Sequence, residues 1–90
     1  MKIEWDEVKR LANRRKHGVD FVAAVAAFED TNGIEANENV AGEERWRLIA
    51  MAPAGLFHVV YTERGKSIRI ISVRKATRRE AQAYHSSEAG

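Results

Sequence analysis

The sequence predicts a single α+β domain in which an N-terminal helical hairpin packs on an antiparallel sheet of three to five strands, followed by a short C-terminal helix. Ninety residues are enough for one core and too few for two. Two helix-capping signals precede residue 30, and three strand-like segments follow Gly42. Residues 1–90 are therefore expected to form one domain, with residues 86–90 as a frayed tail.

The helical hairpin is predicted across residues 6–29. Asp6 and Asp20 are suitable N-caps, because a carboxylate can accept hydrogen bonds from the free backbone N–H groups of a first helical turn. Apolar residues recur at helical spacing after each cap, and Gly18 suits the left-handed conformation that ends many helices. Basic residues concentrate in the later turns of the first segment, where positive charge complements the helix dipole.

Three segments rich in β-branched and aromatic residues predict an antiparallel meander. They are residues 45–52, 56–62 and 67–74. Turns at Pro53–Gly55 and Arg64–Lys66 separate them, and short strands at residues 2–5 and 34–36 are expected to extend the sheet edges. The Thr77–Glu80 segment has the Thr-x-x-Glu pattern of a capping box, which predicts the start of the last helix.

Composition excludes several functional classes. The chain has no cysteine, which rules out disulfides, thiolate metal sites and a cysteine nucleophile, and which suits a reducing cytoplasm. No apolar run approaches the roughly 18 residues that cross a bilayer, and the charged N-terminal segment does not resemble a signal peptide. We therefore expect a cytoplasmic protein that does not associate with membranes. With only three scattered histidines, we expect no metal site and no other cofactor.

Charge is distributed unevenly along the chain. Residues 1–18 have a net charge of +3, residues 19–44 of −7 and residues 45–90 of +6. This asymmetry is compatible with a basic surface for a polyanion and a separate acidic surface. It is equally compatible with a mixed solvated surface that folding assembles from the three segments.

The predicted hairpins also determine which side chains meet across the sheet. Pairing across the Gly65-Lys66 turn places Arg64 opposite Ser67. The same register places Arg69 opposite Thr62. A three-residue loop in the preceding hairpin would bring Trp46 opposite Thr62 as well. Arg64 and Arg69 are then expected to share a face with Trp46 at one end of the sheet.

Charged residues are expected to divide between the two ends of the sheet, because five strand residues span roughly 16 Å. Glu44 and Arg45 lie at the end that contains Arg69. Arg74 and Lys75 lie toward the other end. The sequence thus separates two groups of basic residues along the strands.

Individual residues allow structural and functional interpretations. Arg69 interrupts an apolar strand, so its guanidinium either binds an anionic ligand, pairs with a carboxylate such as Glu63, or reaches solvent from an edge position. Arg64 is either a solvated turn residue or a phosphate-binding group. Lys16 and His17 end the first helix, where a histidine either stabilises the helix terminus or acts in catalysis.

Familiar catalytic motifs are absent from the sequence: there is no nucleophile elbow, zinc-protease motif, P-loop or dinucleotide fingerprint. No pair of histidines suggests the acid–base arrangement of a classical ribonuclease. RNA cleavage nevertheless needs only the 2′-hydroxyl of the RNA as nucleophile. Positioning of that group and stabilisation of the phosphorane charge by Arg and Lys can supply much of the rate.

Several segments together resemble the BrnT toxins of bacterial type II toxin–antitoxin modules, over roughly residues 3–85. The segments are Glu4-Trp5-Asp6, residues 15–21 (RKHGVDF), residues 42–46 (GEERW), residues 61–65 (YTERG) and residues 68–80 (IRIISVRKATRRE). The resemblance implies a RelE-like fold and a ribonuclease that stops translation. It also implies a BrnA-like antitoxin that covers the toxin and contains a DNA-binding part. Operator DNA would be contacted only through that complex, which would repress its own operon.

The resemblance also implies an active surface. Arg64 and Arg69 would hold the scissile phosphate, and Arg74 a flanking phosphate. Proton transfer would fall to Lys16, His17 or Glu44. The remaining RNA-binding positions would be Arg45 and Lys75.

Three hypotheses follow from the sequence. The first is a metal-independent ribonuclease toxin that acts on RNA. The second is a non-enzymatic nucleic-acid-binding module, which a basic surface alone would also support. The third is an interaction protein that binds a partner through the acidic segment at residues 19–44.

Overall fold

The computed structural model describes the backbone of residues 2–89 and the side chains of residues 2–87. Its strands are β1 (Lys2–Trp5), β2 (Ile34–Val40), β3 (Glu43–Ala52), β4 (Gly55–Arg64) and β5 (Ser67–Lys75). Its helices are α1 (Glu7–His17), α2 (Phe21–Ala24) and α3 (Arg78–Ala89), with a 3₁₀ helix at Val25–Glu29. The five strands form one sheet in the order β1-β5-β4-β3-β2.

The α+β class agrees with the sequence, but the N-terminal helical hairpin and the purely antiparallel sheet were wrong. A strand, β1, precedes the first helix and pairs in parallel with β5, so the sheet is mixed. Its apolar residues Ile3 and Trp5 pack against the core. The expected second helix is only a short α-helical segment that continues as a 3₁₀ helix. Phe21, Ala24 and Ala27 are completely buried there, and their three-residue spacing matches the 3₁₀ repeat.

Helix boundaries follow the local capping signals. Asp6 accepts hydrogen bonds from the first turn of α1, and Gly18 ends that helix at a φ of 71°. Asp20 caps α2 in the same way. The Thr77 hydroxyl accepts from the Glu80 N–H at 3.2 Å, while the Glu80 carboxylate accepts from the Thr77 N–H at 2.9 Å. The predicted caps are thus confirmed, and α3 continues through residues 86–89, where a frayed tail was expected.

One face of the sheet forms the core against α1, α2 and the 3₁₀ helix. Leu48, Val59 and Val73 lie in one cross-strand row on this face and are essentially inaccessible to solvent. Within residues 2–89, no helix is long and apolar enough to span a membrane.

The Asn13 side chain joins α1 directly to the sheet. Its Nδ2 donates to the carbonyl oxygens of Val73 at 2.7 Å and Val19 at 3.1 Å, and its Oδ1 accepts from the Val73 N–H at 3.1 Å. Pairing of β1 with β5 stops at Ile70. The Asn13 amide therefore satisfies the polar backbone of β5 beyond the end of β1, where it would otherwise be buried without partners.

Strand β5 contains a bulge at Ile71. Ser72 pairs with Val60, and Ile70 pairs with Tyr61, so Ile71 has no residue opposite it. An extra residue of this kind changes which side chains of a strand share a face. Successive side chains of β5 alternate between the two faces of the sheet, and the bulge shifts this alternation by one residue for the part of the strand that follows it.

Candidate functional site

The sheet face opposite to α1 and α2 has a different character from the core, and we call it the open face. Register and strand alternation place on it Glu4 of β1, Arg69 of β5, Thr62 of β4, Arg45 and Arg47 of β3, and Glu38 of β2. Guanidinium groups and carboxylates thus share one face of the sheet. This combination suits contact with an anionic polymer.

The bulge at Ile71 brings the arginines of β5 to the same face. Arg69 pairs with Thr62, and Arg74 pairs with His58, which lies four positions earlier on β4. In a regular strand, Arg69 and Arg74 would point to opposite faces because they are five positions apart. The extra residue at the bulge shifts the alternation by one position, so the side chains of both residues lie on the open face.

Arg69 is held at the β1 side of the open face. Its Nη1 donates to Glu4 Oε2 at 3.3 Å, and the two side chains are 30% and 36% exposed. Glu63, the carboxylate considered from the sequence, pairs with Ile68 and therefore faces the other side of the sheet. Within residues 2–87, Arg69 makes no further hydrogen bond, so much of its guanidinium is available to a ligand.

The predicted register of the β4–β5 hairpin is confirmed, with Arg64 opposite Ser67 and Arg69 opposite Thr62. Arg64 is exposed and shares the face of Arg69. The register predicted for Trp46 was wrong. Ala52 pairs with Gly55 in the preceding hairpin, so its loop has two residues instead of three, and Trp46 lies opposite Tyr61. Trp46 therefore packs against the core.

Two further arginines lie on β3. Arg45 Nε is 3.5 Å from Glu43 Oε1, and Arg47 Nε is 3.2 Å from Glu38 Oε2. The Arg47 side chain is 51% exposed. Arg47 and Glu4 were not predicted as site residues, although the two-residue spacing of Arg45 and Arg47 on a strand would have placed both on one face.

Arg74 and Lys75 are placed differently from the other predicted RNA-binding residues. Arg74 forms a two-pronged interaction with Glu80, with N–O distances of 2.8 and 2.9 Å. These hydrogen bonds lower the pKa of Glu80 from its ordinary value of 4.5 to about 2. The guanidinium of Arg74 thus fixes the start of α3 to the sheet. Lys75 pairs with Phe57 and points away from the open face, into solvent.

The structure does not gather the three residues expected to transfer protons. Lys16 and His17 are exposed at the end of α1, in the helical layer. Glu44 pairs with Asn39 near the β2–β3 turn, and strand alternation directs its side chain away from the open face. Its carbonyl oxygen accepts a hydrogen bond from Thr62 Oγ1 at 2.9 Å.

A cavity of about 170 Å³ opens beside the arginine group, between the sheet and α3. Ile34, Glu35, Ala36, Arg47, Ile49, His58 and Glu80 line it. The His58 side chain is only 9% exposed, and its Nε2 lies 3.9 Å from Glu80 Oε2. Burial, followed by the positive charge of Arg74, lowers the pKa of His58 below its ordinary value of 6.5. The imidazole is therefore neutral at neutral pH.

Possible metal ligands are dispersed in the part of the chain that the structure describes. No group of three or more His, Asp or Glu side chains within residues 2–89 is close enough to hold a metal ion.

The fold and the open face define a class of small α+β proteins with an arginine-lined sheet surface suited to a polyanion. A comparison with protein families makes the assignment specific. The family model for the ribonuclease toxin BrnT of type II toxin–antitoxin systems matches residues 5–80 of the chain. The chain belongs to this family, which confirms the resemblance noted in its sequence motifs. No curated protein matches the chain significantly.

Proposed function

We propose that this chain is a metal-independent endoribonuclease that cleaves RNA on its open face and thereby stops translation. The observation that supports this location is the presence of Arg45, Arg47 and Arg69 on one face of a rigid sheet. Arginine presents a planar, permanently charged fork that matches phosphate oxygens. Membership of the BrnT family supports the activity.

In the proposed reaction, the 2′-oxygen of the RNA attacks the adjacent phosphorus. A 2′,3′-cyclic phosphate forms, and the 5′-oxygen of the next nucleotide leaves and takes up a proton from water. Arg64 and Arg69 hold the phosphate and stabilise the charge that develops on its oxygens. Because these groups lie on paired strands, they are in position before the substrate binds.

We propose Glu4 as the group that removes the proton from the 2′-hydroxyl. Its carboxylate lies on the open face, 3.3 Å from Arg69. A general base must reach the same substrate atoms as the groups that hold the phosphate. Glu4 meets this requirement, whereas Glu44, Lys16 and His17 point elsewhere.

We also propose that a BrnA-like antitoxin neutralises the toxin by covering the open face. Arginines at the rim of that face would accelerate association with an acidic partner, and apolar burial would supply most of the affinity. The complex would contact operator DNA through the antitoxin and repress its own operon. Co-expression of the adjacent gene should therefore restore growth to cells that produce this chain.

The test of the activity is RNA cleavage by the purified protein with EDTA present, compared with Arg64→Ala and Arg69→Ala. Cleavage should survive EDTA, and each substitution should reduce its rate on the order of 10²–10³-fold. The fold should persist, because the Arg69 and Glu4 side chains are each about one-third exposed, and a surface ion pair contributes about 1 kcal/mol or less. Full activity in a stable double variant would remove both arginines from the site. RNA binding without cleavage would instead indicate a non-enzymatic module.

Glu4→Gln tests the proposed base, with Glu63→Gln as its matched control. Both substitutions remove one carboxylate; Glu4 is partly buried on the open face, and Glu63 is exposed on the opposite side. Glu4→Gln should slow cleavage on the order of 10²-fold, and Glu63→Gln should leave the rate near that of the wild type. Equal effects of the two substitutions would contradict a role for Glu4 as base.

A further inference from the structure

We propose that the cavity beside α3 binds one nucleobase of the RNA substrate, and that it gives the enzyme a preference for guanine near the cleavage site. This inference rests on the proposed function, because it assigns a specificity pocket to the same open face. The cavity is formed by the described residues of β2, β3, β4 and α3.

The volume of the cavity suits one nucleobase better than a whole nucleotide. Its volume is about 170 Å³, below the roughly 300–1,000 Å³ of pockets for drug-sized ligands. Ile34, Ala36 and Ile49 supply apolar surface, which suits the face of a planar base. A whole nucleotide would have to leave its ribose and phosphate outside, on the open face.

The charges around the cavity do not favour a free phosphate. The carboxylate of Glu80 faces the cavity and already engages Arg74. Arg47 is balanced by Glu38, 3.2 Å away. His58 is neutral at neutral pH, so the lining has little net positive charge. A neutral ring with hydrogen-bonding edges fits this environment better than a dianion.

Polar groups at the cavity provide the means of base selection. Arg47 is half-exposed, and the one ion pair that it makes within residues 2–87 uses Nε, so its terminal nitrogens are available. An arginine fork matches the O6 and N7 acceptors of guanine. His58 is more than nine-tenths buried, and its Nδ1 has no hydrogen-bond partner within residues 2–87. Buried polar atoms of a protein core almost always have a hydrogen-bond partner. A buried imidazole nitrogen without one is therefore more typical of a ligand site than of a core.

The position of the cavity connects it with the proposed cleavage site. His58 lies four residues from Thr62 on β4, and Thr62 pairs with Arg69. The two places are therefore about 13 Å apart along the same face. A short stretch of one RNA strand can place a phosphate at Arg69 and a flanking base in the cavity.

Ala36→Phe is the variant that tests the inference, with Asn37→Phe as its control. Ala36 lines the cavity, so a phenyl ring there would fill it. Asn37 is the next residue of the same exposed strand, but it pairs with Trp46 and faces the other side of the sheet. Thermal melting of both variants shows whether each still folds.

The first measurement maps cleavage sites in an RNA oligonucleotide library. The wild type should favour guanine at one position near the cut, on the order of 10-fold over adenine. Ala36→Phe should bring this ratio close to one, and Asn37→Phe should preserve it. An unchanged ratio in a folded Ala36→Phe protein would overturn the inference and leave the proposed function intact.

The second measurement needs no enzymatic activity. Guanosine 5′-monophosphate is titrated into the full-length protein while the His58 imidazole is followed by NMR, with ribose 5-phosphate as the comparison. A shift with the nucleotide alone, absent from Ala36→Phe, supports a base pocket even if RNA cleavage fails. No shift, or an equal shift with ribose 5-phosphate, would contradict it.

Discussion

Replacement of Asn13 by Ala should destabilise the protein more than most single substitutions. The Asn13 side chain makes three hydrogen bonds with the backbone of Val73 and Val19 and is 7% exposed as a residue. A typical hydrogen bond contributes about 0.5–1.5 kcal/mol, and a buried group left without a partner costs about 1–3 kcal/mol. Partial access of water to the vacated space would limit the sum. We therefore expect a loss of about 3 kcal/mol in the free energy of unfolding.

Chemical and thermal denaturation followed by far-UV circular dichroism would measure this loss. For a chain of this size, about 3 kcal/mol corresponds to a decrease in Tm of roughly 12–24 °C. The matched control is Asn37→Ala, which removes an exposed asparagine from β2 and should change stability by less than about 0.5 kcal/mol. A Tm for Asn13→Ala within about 3 °C of the wild type would refute the argument that these hydrogen bonds hold α1 to β5.

Two further predictions concern Glu80 of α3 and Gly33, the residue that precedes β2. Because the pKa of Glu80 is lowered from 4.5 to about 2 in the folded protein, its charged form stabilises the fold above pH 4.5, and this contribution is lost as the pH falls toward 2. The stability difference between wild type and Glu80→Gln should therefore be constant at neutral pH and disappear in acid; a constant difference down to pH 2 would exclude this origin. In Gly33→Ala, the new Cβ would lie 2.9 Å from Leu48 Cδ1, so we expect a loss of about 1–3 kcal/mol in denaturant titrations. Gly42→Asn should cost less, because no described atom lies within 4 Å of a Cβ built there and Asn adopts the positive φ of 81° at Gly42 more readily than other non-glycine residues; equal losses in the two variants would contradict the steric explanation.

Local signals predicted the parts of the fold that depend on neighbouring residues. Asp6, Gly18 and Asp20 mark helix boundaries because caps act over a few residues. The Gly65-Lys66 turn fixed the β4–β5 register for the same reason. The second helix was wrong because the pattern of Phe21 and the following alanines fits an α-helix and a 3₁₀ helix alike. Tertiary packing decides between them.

The candidate site was predicted less completely than the fold. Arg64 and Arg69 were placed correctly in the β4–β5 hairpin, since a short turn determines their partners. Nothing in the sequence shows which of the adjacent apolar residues in β5 is the bulge, and Ile71 determines the face of Arg74. The roles of Lys16 and His17 came from the resemblance and, for His17, from its place at the end of the first helix, and they remain predictions.

The parallel pairing of β1 with β5 has a consequence for the synthesis of the protein. Glu4 leaves the ribosome 65 residues before its partner Arg69. Until β5 is translated, β1 has no strand to pair with, and the Glu4–Arg69 pair does not exist. Pairings between residues so far apart in sequence form late, because the intervening loop must first close. A nascent or prematurely terminated chain would therefore lack the proposed base beside its phosphate-binding arginine, and the proposed site would be complete only after β5 has been made.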